Sequence, residues 1–241
     1  MTGVLYGVGL GPGDRELMSV KSDRLVRETR NIAYFRKKGR AGRARTIVDG
    51  MLRDDVVPFA MEYPVTTEIP LSDPRYNAAL SAFYTDCTAH LQTLVQAGED
   101  VVVLCEGDPF FYGSFMHVYT RLKDSLPIEV IPAITGMSAA WTASGAPITW
   151  GDDILSTVMG TLDEETLTNA MTQADALVVM KIGRNLPKVR RALAAAGKAE
   201  RAILVKYASM EGQEICPLAE FDAETLPYFS IIIVHGQGRR P

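Results

Sequence analysis

The feature that most restricts the fold is a run of five uncharged apolar residues, Val101–Cys105, followed by the sequence Glu-Gly-Asp-Pro. Such a run is typical of a strand that is covered on both faces, as the strands of parallel sheets are. Segments with helical spacing stand beside it, and in the longest of them, Pro74–Gly98, apolar residues recur every three or four positions. This alternation predicts an α/β fold with a mainly parallel sheet.

Strands and helices alternate along most of the chain. The predicted strands are GVLYGVGL, NIAYF, DVVPFA, VVVLC and IEVI in the first half, and ILSTVMG, ALVVMK, RAILVKYAS, GQEICPL and PYFSIIIVHG in the second. Asp14 is expected to cap a helix that runs to about Arg30, and another helix is expected over 112–125. The last three strands follow one another without a helix, which favours antiparallel pairing. We therefore predict two α/β domains, 1–131 and 132–241, with a ligand cleft between them.

Cysteine usage and charge narrow the classes of function. Cys87, Cys105 and Cys216 lie far apart without a CxxC spacing, so neither a disulfide framework nor a metal site is expected. The formal net charge of −4 argues against binding of nucleic acid by the whole surface. The longest apolar runs are too short to span a bilayer, so no membrane contact is expected. Since no charged and then apolar leader precedes the first strand, we expect a cytoplasmic protein.

One local segment has the opposite charge to the whole chain. The basic segment, Arg36–Arg45, contains six cations and no acid: Arg36, Lys37, Lys38, Arg40, Arg43 and Arg45. Two interpretations stay open. The segment is either a solvated loop that leads into a helix, or a loop that receives the anionic groups of a polyacidic ligand.

The glycine-rich stretch GVGLGPGD, Gly7–Asp14, has the composition of a nucleotide-binding turn. A dinucleotide-binding turn requires G-x-G-x-x-G, but the sixth position is Pro12 or Asp14, depending on where the motif begins. A P-loop requires Lys-Ser/Thr after its last glycine, where this chain has Asp14 and Arg15. The commonest S-adenosylmethionine enzymes keep an acid at the end of the second strand, where this chain has Arg-Lys-Lys. Both phosphate-binding interpretations fail, and the third is disfavoured.

Four further motifs follow in order. They are EGDPFFYGS after the buried strand, PAITGMSAA near the middle of the chain, and then VVMKIGRN and VKYASMEGQE. Together with GVGLGPGD they resemble the tetrapyrrole methylase family over almost the whole chain. The resemblance implies a two-domain α/β fold with a mainly parallel N-terminal sheet and a mixed C-terminal sheet. Cofactor and substrate would occupy the cleft between the domains.

The resemblance also implies the cofactor, S-adenosylmethionine, and the residues that contact it. The family's contacts match Pro12, Glu106, Gly107, Asp108, Phe111, Thr135, Gly136, Met180 and Ala208, with His235 and Gly236 as weaker matches. Some relatives have glycine in place of Glu106. Without the resemblance, Met180 alone would indicate an ordinary core methionine. The proton acceptor, if one exists, is left open among Glu106, Asp108, Tyr112 and His117.

An acidic tetrapyrrole substrate would give the cations a purpose. We expect Arg36, Lys37, Lys38, Arg40 and, in the motif KIGRN, Arg184 to bind its carboxylates. The family resemblance further implies a homodimer. The segment LCEGDPFFYGSF and the chain length most resemble those of family members that methylate carbon 20 of precorrin-2.

Several alternatives to this activity stay open. The substrate could be the cobalt-loaded compound, another corrin position could be methylated, or the acceptor could be the diphthamide side chain of a translation factor. A protein that keeps the cofactor site without turnover is a different class. A nicotinamide-dependent oxidoreductase is disfavoured because the glycine register fails.

Overall fold

The structure, a computed structural model, describes residues 2–65 and 73–238. Contacts between Cα atoms divide the chain into two compact units, one up to Thr135 and one from Gly136 onward. Each unit contains its own five-stranded sheet. The predicted domain boundary at 131 and 132 lies a few residues before this division.

The N-terminal unit is built on a parallel sheet with the strand order β3-β2-β4-β1-β5. Its elements are β1 (Leu5–Gly9), α1 (Val20–Glu28), β2 (Asn31–Lys37), α2 (Arg43–Ile47), β3 (Val57–Tyr63), α3 (Pro74–Gln96), β4 (Val101–Cys105), α4 (Phe115–Leu122) and β5 (Ile128–Ile131). Every residue of β4 is buried, because Val103 packs into the core on one face of the sheet and Leu104 into the core on the other. The α/β fold predicted from this strand is confirmed.

Two helices of this unit begin later than predicted. Asp14 caps only a 3₁₀ turn, Arg15–Leu17, and α1 has its own cap at Ser19, whose Oγ accepts the Ser22 backbone N–H at 3.0 Å. The single helix expected from Asp14 is therefore wrong. The separate start of α1 joins it to the glycine-rich stretch, because the Ser22 hydroxyl donates a hydrogen bond to the carbonyl of Gly9 at 2.8 Å. The helix predicted from residue 112 also begins later, because α4 starts at Phe115.

The C-terminal unit has a mixed sheet with the strand order β6-β7-β10-β8-β9. Its elements are α5 (Gly136–Ala143), β6 (Leu155–Met159), α6 (Glu164–Gln173), β7 (Ala176–Met180), α7 (Leu186–Ala195), β8 (Ile203–Lys206), β9 (Glu214–Pro217) and β10 (Ser230–Val234). The pair β6 and β7 is parallel, whereas β10 pairs antiparallel with both β7 and β8, and β8 pairs antiparallel with β9. The antiparallel pairing predicted for the last strands is confirmed, as is the mixed sheet.

The described residues contain neither a membrane-crossing helix nor a metal-binding cluster of side chains. No helix in the described ranges combines the length and the apolar character that crossing a bilayer requires. Within those same ranges, His, Cys, Asp and Glu side chains do not form a group of three or more that could hold a metal ion. Cys87, Cys105 and Cys216 are free thiols, and the first two are buried.

Candidate functional site

The glycine-rich stretch and the turn after β4 meet at the carboxyl edge of the N-terminal sheet. The backbone N–H of Gly107 donates to the carbonyl of Gly11 at 2.9 Å, and the N–H of Leu10 donates to the carbonyl of Cys105 at 2.9 Å. The approach requires glycine, because a Cβ on Gly9 would lie 2.9 Å from the carbonyl oxygen of Gly107. Ligands of parallel α/β sheets bind at this edge.

Asp108 connects the turn after β4 with the segment after β5. Its Oδ1 accepts the backbone N–H of Phe110 at 2.9 Å, and its Oδ2 accepts the backbone N–H of Ala133 at 3.0 Å. Both carboxylate oxygens are thus used to fix backbone. The side chain shapes the turn, which is a different task from that of a proton acceptor.

Glu106 lies on the opposite side of the same turn, against α2. The nearby guanidinium of Arg43 and the backbone N–H of Ala44 both lower the pKa of its carboxyl group. Burial raises the pKa of Glu106 above its usual value, and the two partners offset only part of that effect. The structure therefore places this predicted cofactor residue near the basic segment.

Four residues other than glycine have a positive φ in the described part of the chain: Tyr112 (54°), Lys181 (51°), Tyr207 (53°) and Ser209 (60°). Each is a direct neighbour of a predicted cofactor residue, namely Phe111, Met180 or Ala208. A backbone of this kind costs about 1–3 kcal/mol per residue and is concentrated at ligand sites. These conformations could not be predicted from the residue types, because positive φ is expected mainly at glycine. The positive φ of Tyr112 also explains why α4 starts after that residue.

Three predicted residues of the C-terminal unit lie together at one edge of its sheet. Met180 ends β7, Ala208 follows β8, and both pack in one apolar cluster with Ile231 near the start of β10. Gly136 joins them, because a Cβ added to it would lie 3.6 Å from the Cδ1 of Ile231. The neighbouring Ser209 has a buried hydroxyl that finds no hydrogen-bond partner among the residues the structure describes.

His235 and Gly236 lie at the other end of β10. Since β10 runs antiparallel to β7, its last residues are at the edge where β7 begins. The His235 ring makes hydrogen bonds with the Ser144 hydroxyl at 2.9 Å and the Pro147 carbonyl at 2.8 Å. The structure does not bring these two residues together with Met180 and Ala208. We therefore leave them out of the proposed cofactor site.

His117, a candidate proton acceptor, is an exposed residue of α4 whose ring packs against Tyr84 of α3. Its ring centroid is 4.7 Å from that of Tyr84. Burial and the nearby Arg121 cation both lower the pKa of His117. This position supports packing of α4 on α3.

The basic segment is only in part a loop. Arg36 and Lys37 end β2, and Arg43 and Arg45 belong to α2, so the loop interpretation applies to residues 38–42 alone. Among the segment's cations, Arg36 pairs with Glu62 at 3.2 Å and Arg45 pairs with Asp49 at 3.1 Å. Lys38 and Arg40 are exposed, as is Arg184 in the 3₁₀ turn after β7.

Comparisons with known proteins agree with this architecture. A family model described as tetrapyrrole (corrin/porphyrin) methylases matches residues 4–222. The chain is 44% identical over 239 residues to a precorrin-2 C(20)-methyltransferase from Sinorhizobium sp, covering 99% of this chain and 98% of that protein. It is 27% identical over 241 residues to a cobalt-precorrin-2 C(20)-methyltransferase from Salmonella typhimurium, covering 98% of both.

A solved structure has a similar fold. It is the uroporphyrin-III C-methyl transferase from Thermus thermophilus complexed with S-adenyl homocysteine, with a TM-score of 0.66 and 22% identity. The alignment covers 96% of this chain and 97% of that one.

Proposed function

The chain belongs to the tetrapyrrole (corrin/porphyrin) methylase family, and on that premise we propose that it methylates carbon 20 of precorrin-2 with S-adenosylmethionine. The product would be precorrin-3A, an intermediate of cobalamin biosynthesis. One observation supports this proposal above the others: 44% identity to a precorrin-2 C(20)-methyltransferase over 99% of this chain.

The residues present fit S-adenosylmethionine. The cofactor offers hydroxyl, carboxylate and ammonium groups that need polar partners, and an apolar and flat part that needs packing. The buried Ser209 hydroxyl, unpaired among the described residues, is a polar partner of the required kind beside Ala208. Half-buried Phe111 and Met180 supply apolar surface. Gly107 has a φ of 65° and keeps a bare backbone at the turn after β4.

We assign the cofactor to two groups of residues. Pro12, Gly107, Asp108, Phe111 and Thr135 belong to the N-terminal unit, and Gly136, Met180 and Ala208 belong to the C-terminal unit. When bound, S-adenosylmethionine supplies a methyl group that is already activated by a positive sulfur. These residues then need only to orient the reactants and exclude water, and such positioning is worth roughly 7–11 kcal/mol.

Loss of the carbon 20 proton needs an acceptor or water. Asp108 fixes two backbone groups, Glu106 contacts α2 and His117 packs on Tyr84. Tyr112 is the remaining candidate, and the left-handed turn keeps 43% of its surface exposed.

Metal-free precorrin-2 is the substrate we propose, because identity to the cobalt-precorrin-2 enzyme is 27% against 44%. We also propose that the protein works in the cytoplasm as a homodimer, as the family resemblance implies. Light scattering on the purified protein tests the dimer directly.

The decisive experiment incubates the protein with S-adenosylmethionine and either metal-free or cobalt-loaded precorrin-2. We expect release of S-adenosylhomocysteine and a product that is heavier by one methylene, with higher kcat/KM on the metal-free substrate. Higher kcat/KM on the cobalt compound would support the alternative substrate instead. Cofactor binding without turnover on either compound would indicate a binding protein.

A further inference from the structure

We propose that Glu106 is a positioning residue that holds the start of α2, and with it the basic segment Arg36–Arg45, in the conformation that receives the substrate's carboxylates. The part that concerns substrate rests on the proposed function. The part that concerns α2 rests on the fold alone.

Strand alternation places the Glu106 side chain over α2. Along β4, Val102 and Leu104 pack in the cluster that contains Ala44 and Val48 of the α2 segment. Side chains two residues apart in a strand share a face. Glu106 follows Leu104 by two positions, directly after the strand ends, and so it continues the face against which α2 packs.

The start of α2 cannot be capped by its own N-cap residue. That residue is Gly42, which has no side chain, and a Cβ there would lie 2.4 Å from a ring carbon of Tyr34. Close packing on Tyr34 thus excludes the Ser, Thr, Asp or Asn that normally satisfies the first backbone N–H groups. Glu106 approaches the same place from β4, close enough for the N–H of Ala44 and the guanidinium of Arg43 to lower the pKa of its carboxyl group.

This contact determines where the exposed cations lie. Lys37 is fixed at the end of β2 by its pairing with Tyr63 of β3, and the N–H of Arg40 donates to its carbonyl at 3.0 Å. Fixing α2 at Gly42 therefore anchors the short connection that carries Lys38 and Arg40 at both ends. The N–H of Gly107 donates a hydrogen bond to the carbonyl of Gly11. The turn after β4 therefore links the basic segment to the glycine-rich stretch.

The test compares Glu106→Ala and Glu106→Gln with the wild type. Glu106→Ala removes the acceptor and the charge, whereas Glu106→Gln keeps an acceptor for the Ala44 N–H. The matched control is Glu164→Gln, which removes an exposed carboxylate–arginine contact, with Arg191, in the other unit. Two measurements are made: amide hydrogen exchange of peptides spanning residues 40–48, and KM for precorrin-2 and for S-adenosylmethionine separately.

In Glu106→Ala we expect faster exchange at α2 and a KM for precorrin-2 raised about fivefold, with kcat and the cofactor KM changed less than about twofold. Glu106→Gln should restore most of the protection and of the affinity, and the control should match the wild type. Should Glu106→Ala fail to fold, the Glu106→Gln variant still gives both measurements, and we expect a smaller change of the same direction.

Three results would overturn the proposal. The first is unchanged exchange at α2 in the variants, and the second is faster exchange with an unchanged KM for precorrin-2. The third is a cofactor KM that rises as much as the precorrin-2 KM, which would assign Glu106 to the cofactor site. Absence of turnover by the wild type would instead contradict the proposed function, and the exchange data would still decide whether Glu106 holds α2.

Discussion

Asp108 shows how a single residue of the turn after β4 can be assigned to structure or to chemistry. Its two oxygens accept backbone N–H groups from Phe110 and Ala133. Asparagine cannot accept with both atoms of its amide, so in Asp108→Asn one of these two backbone N–H groups faces a donor. We expect the free energy of unfolding to fall by about 1–3 kcal/mol, measured by urea denaturation. Asp152→Asn, at an exposed position, is the control.

Kinetics separate this role from that of a base. If Asp108 were the proton acceptor, its replacement would lower kcat by about 10²–10⁴-fold while leaving the stability near that of the wild type. That pattern would contradict the structural assignment.

The buried carboxyl group of Glu106 is expected to make the free energy of unfolding depend on pH. Burial, opposed by Arg43 and Ala44, raises its pKa above the usual 4.5 in the folded protein. A carboxyl group with a raised folded pKa contributes stability that is present below its unfolded pKa and lost as the pH rises through the folded value. The unfolding free energy of the wild type should therefore fall relative to that of Glu106→Gln as the pH rises from the usual 4.5 through the raised folded value. Urea denaturation across that range measures the difference, and a constant difference would contradict the raised pKa.

At the scale of elements, the loop after β8 combines strain with an unpaired hydroxyl. Ser209 has a φ of 60°, and its buried Oγ has no hydrogen-bond partner within the described ranges. Ser209→Gly should relieve the strain and raise the unfolding free energy by about 1 kcal/mol. The same change should weaken S-adenosylmethionine binding, because the polar partner is lost. Thermal unfolding and isothermal calorimetry measure the two effects.

Ser209→Ala is the matched variant, since it removes the hydroxyl but keeps the strained backbone. It should lose cofactor affinity to a similar extent without the gain in stability. Unchanged affinity in both variants would remove Ser209 from the site.

Element types were predictable from sequence where burial is periodic, and element ends were not where tertiary contacts decide them. The run Val101–Cys105 and the spacing in α3 read directly as a buried strand and a helix. The break between Asp14 and Ser19 was hidden, because it depends on the bond from Ser22 to Gly9, which joins two elements. The left-handed Tyr112, which delays α4, was hidden for a similar reason: glycine is the residue expected there.

The residues of the candidate site were also predictable from the sequence only in part. The family motifs predicted Met180 and Ala208, which the fold brings into one cluster. His235 stands at the end of an apolar strand, as Met180 does. Only the antiparallel pairing of β10 with β7 shows that His235 lies at the opposite edge of the sheet from Met180. The proximity of Glu106 to Arg43 could not be predicted from the sequence either, because the two residues are more than sixty positions apart.

At the scale of the whole molecule, charge opposes the proposed substrate. The protein has a net charge of −4 and the substrate carries several carboxylates, so long-range repulsion is expected at neutral pH. The basic segment is the local exception, and its exposed members Lys38 and Arg40 are the cations that can meet a ligand first. Their contribution should depend on screening, because the Debye length falls from about 30 Å at 0.01 M salt to about 3 Å at 1 M.

We therefore expect the double variant Lys38→Ala/Arg40→Ala to raise KM for precorrin-2 about five- to tenfold at low salt, and less than about twofold near 0.5 M salt. The KM for S-adenosylmethionine should not follow, because these side chains are assigned to the substrate alone. Lys123→Glu, at an exposed position after α4, lowers the net charge by the same two units and is the control for the change in net charge. An equal rise in the control would assign the effect to net charge, whereas a rise in the double variant that ignores salt would indicate lost packing. Only a salt-dependent rise confined to the double variant agrees with direct capture of substrate carboxylates by the basic segment.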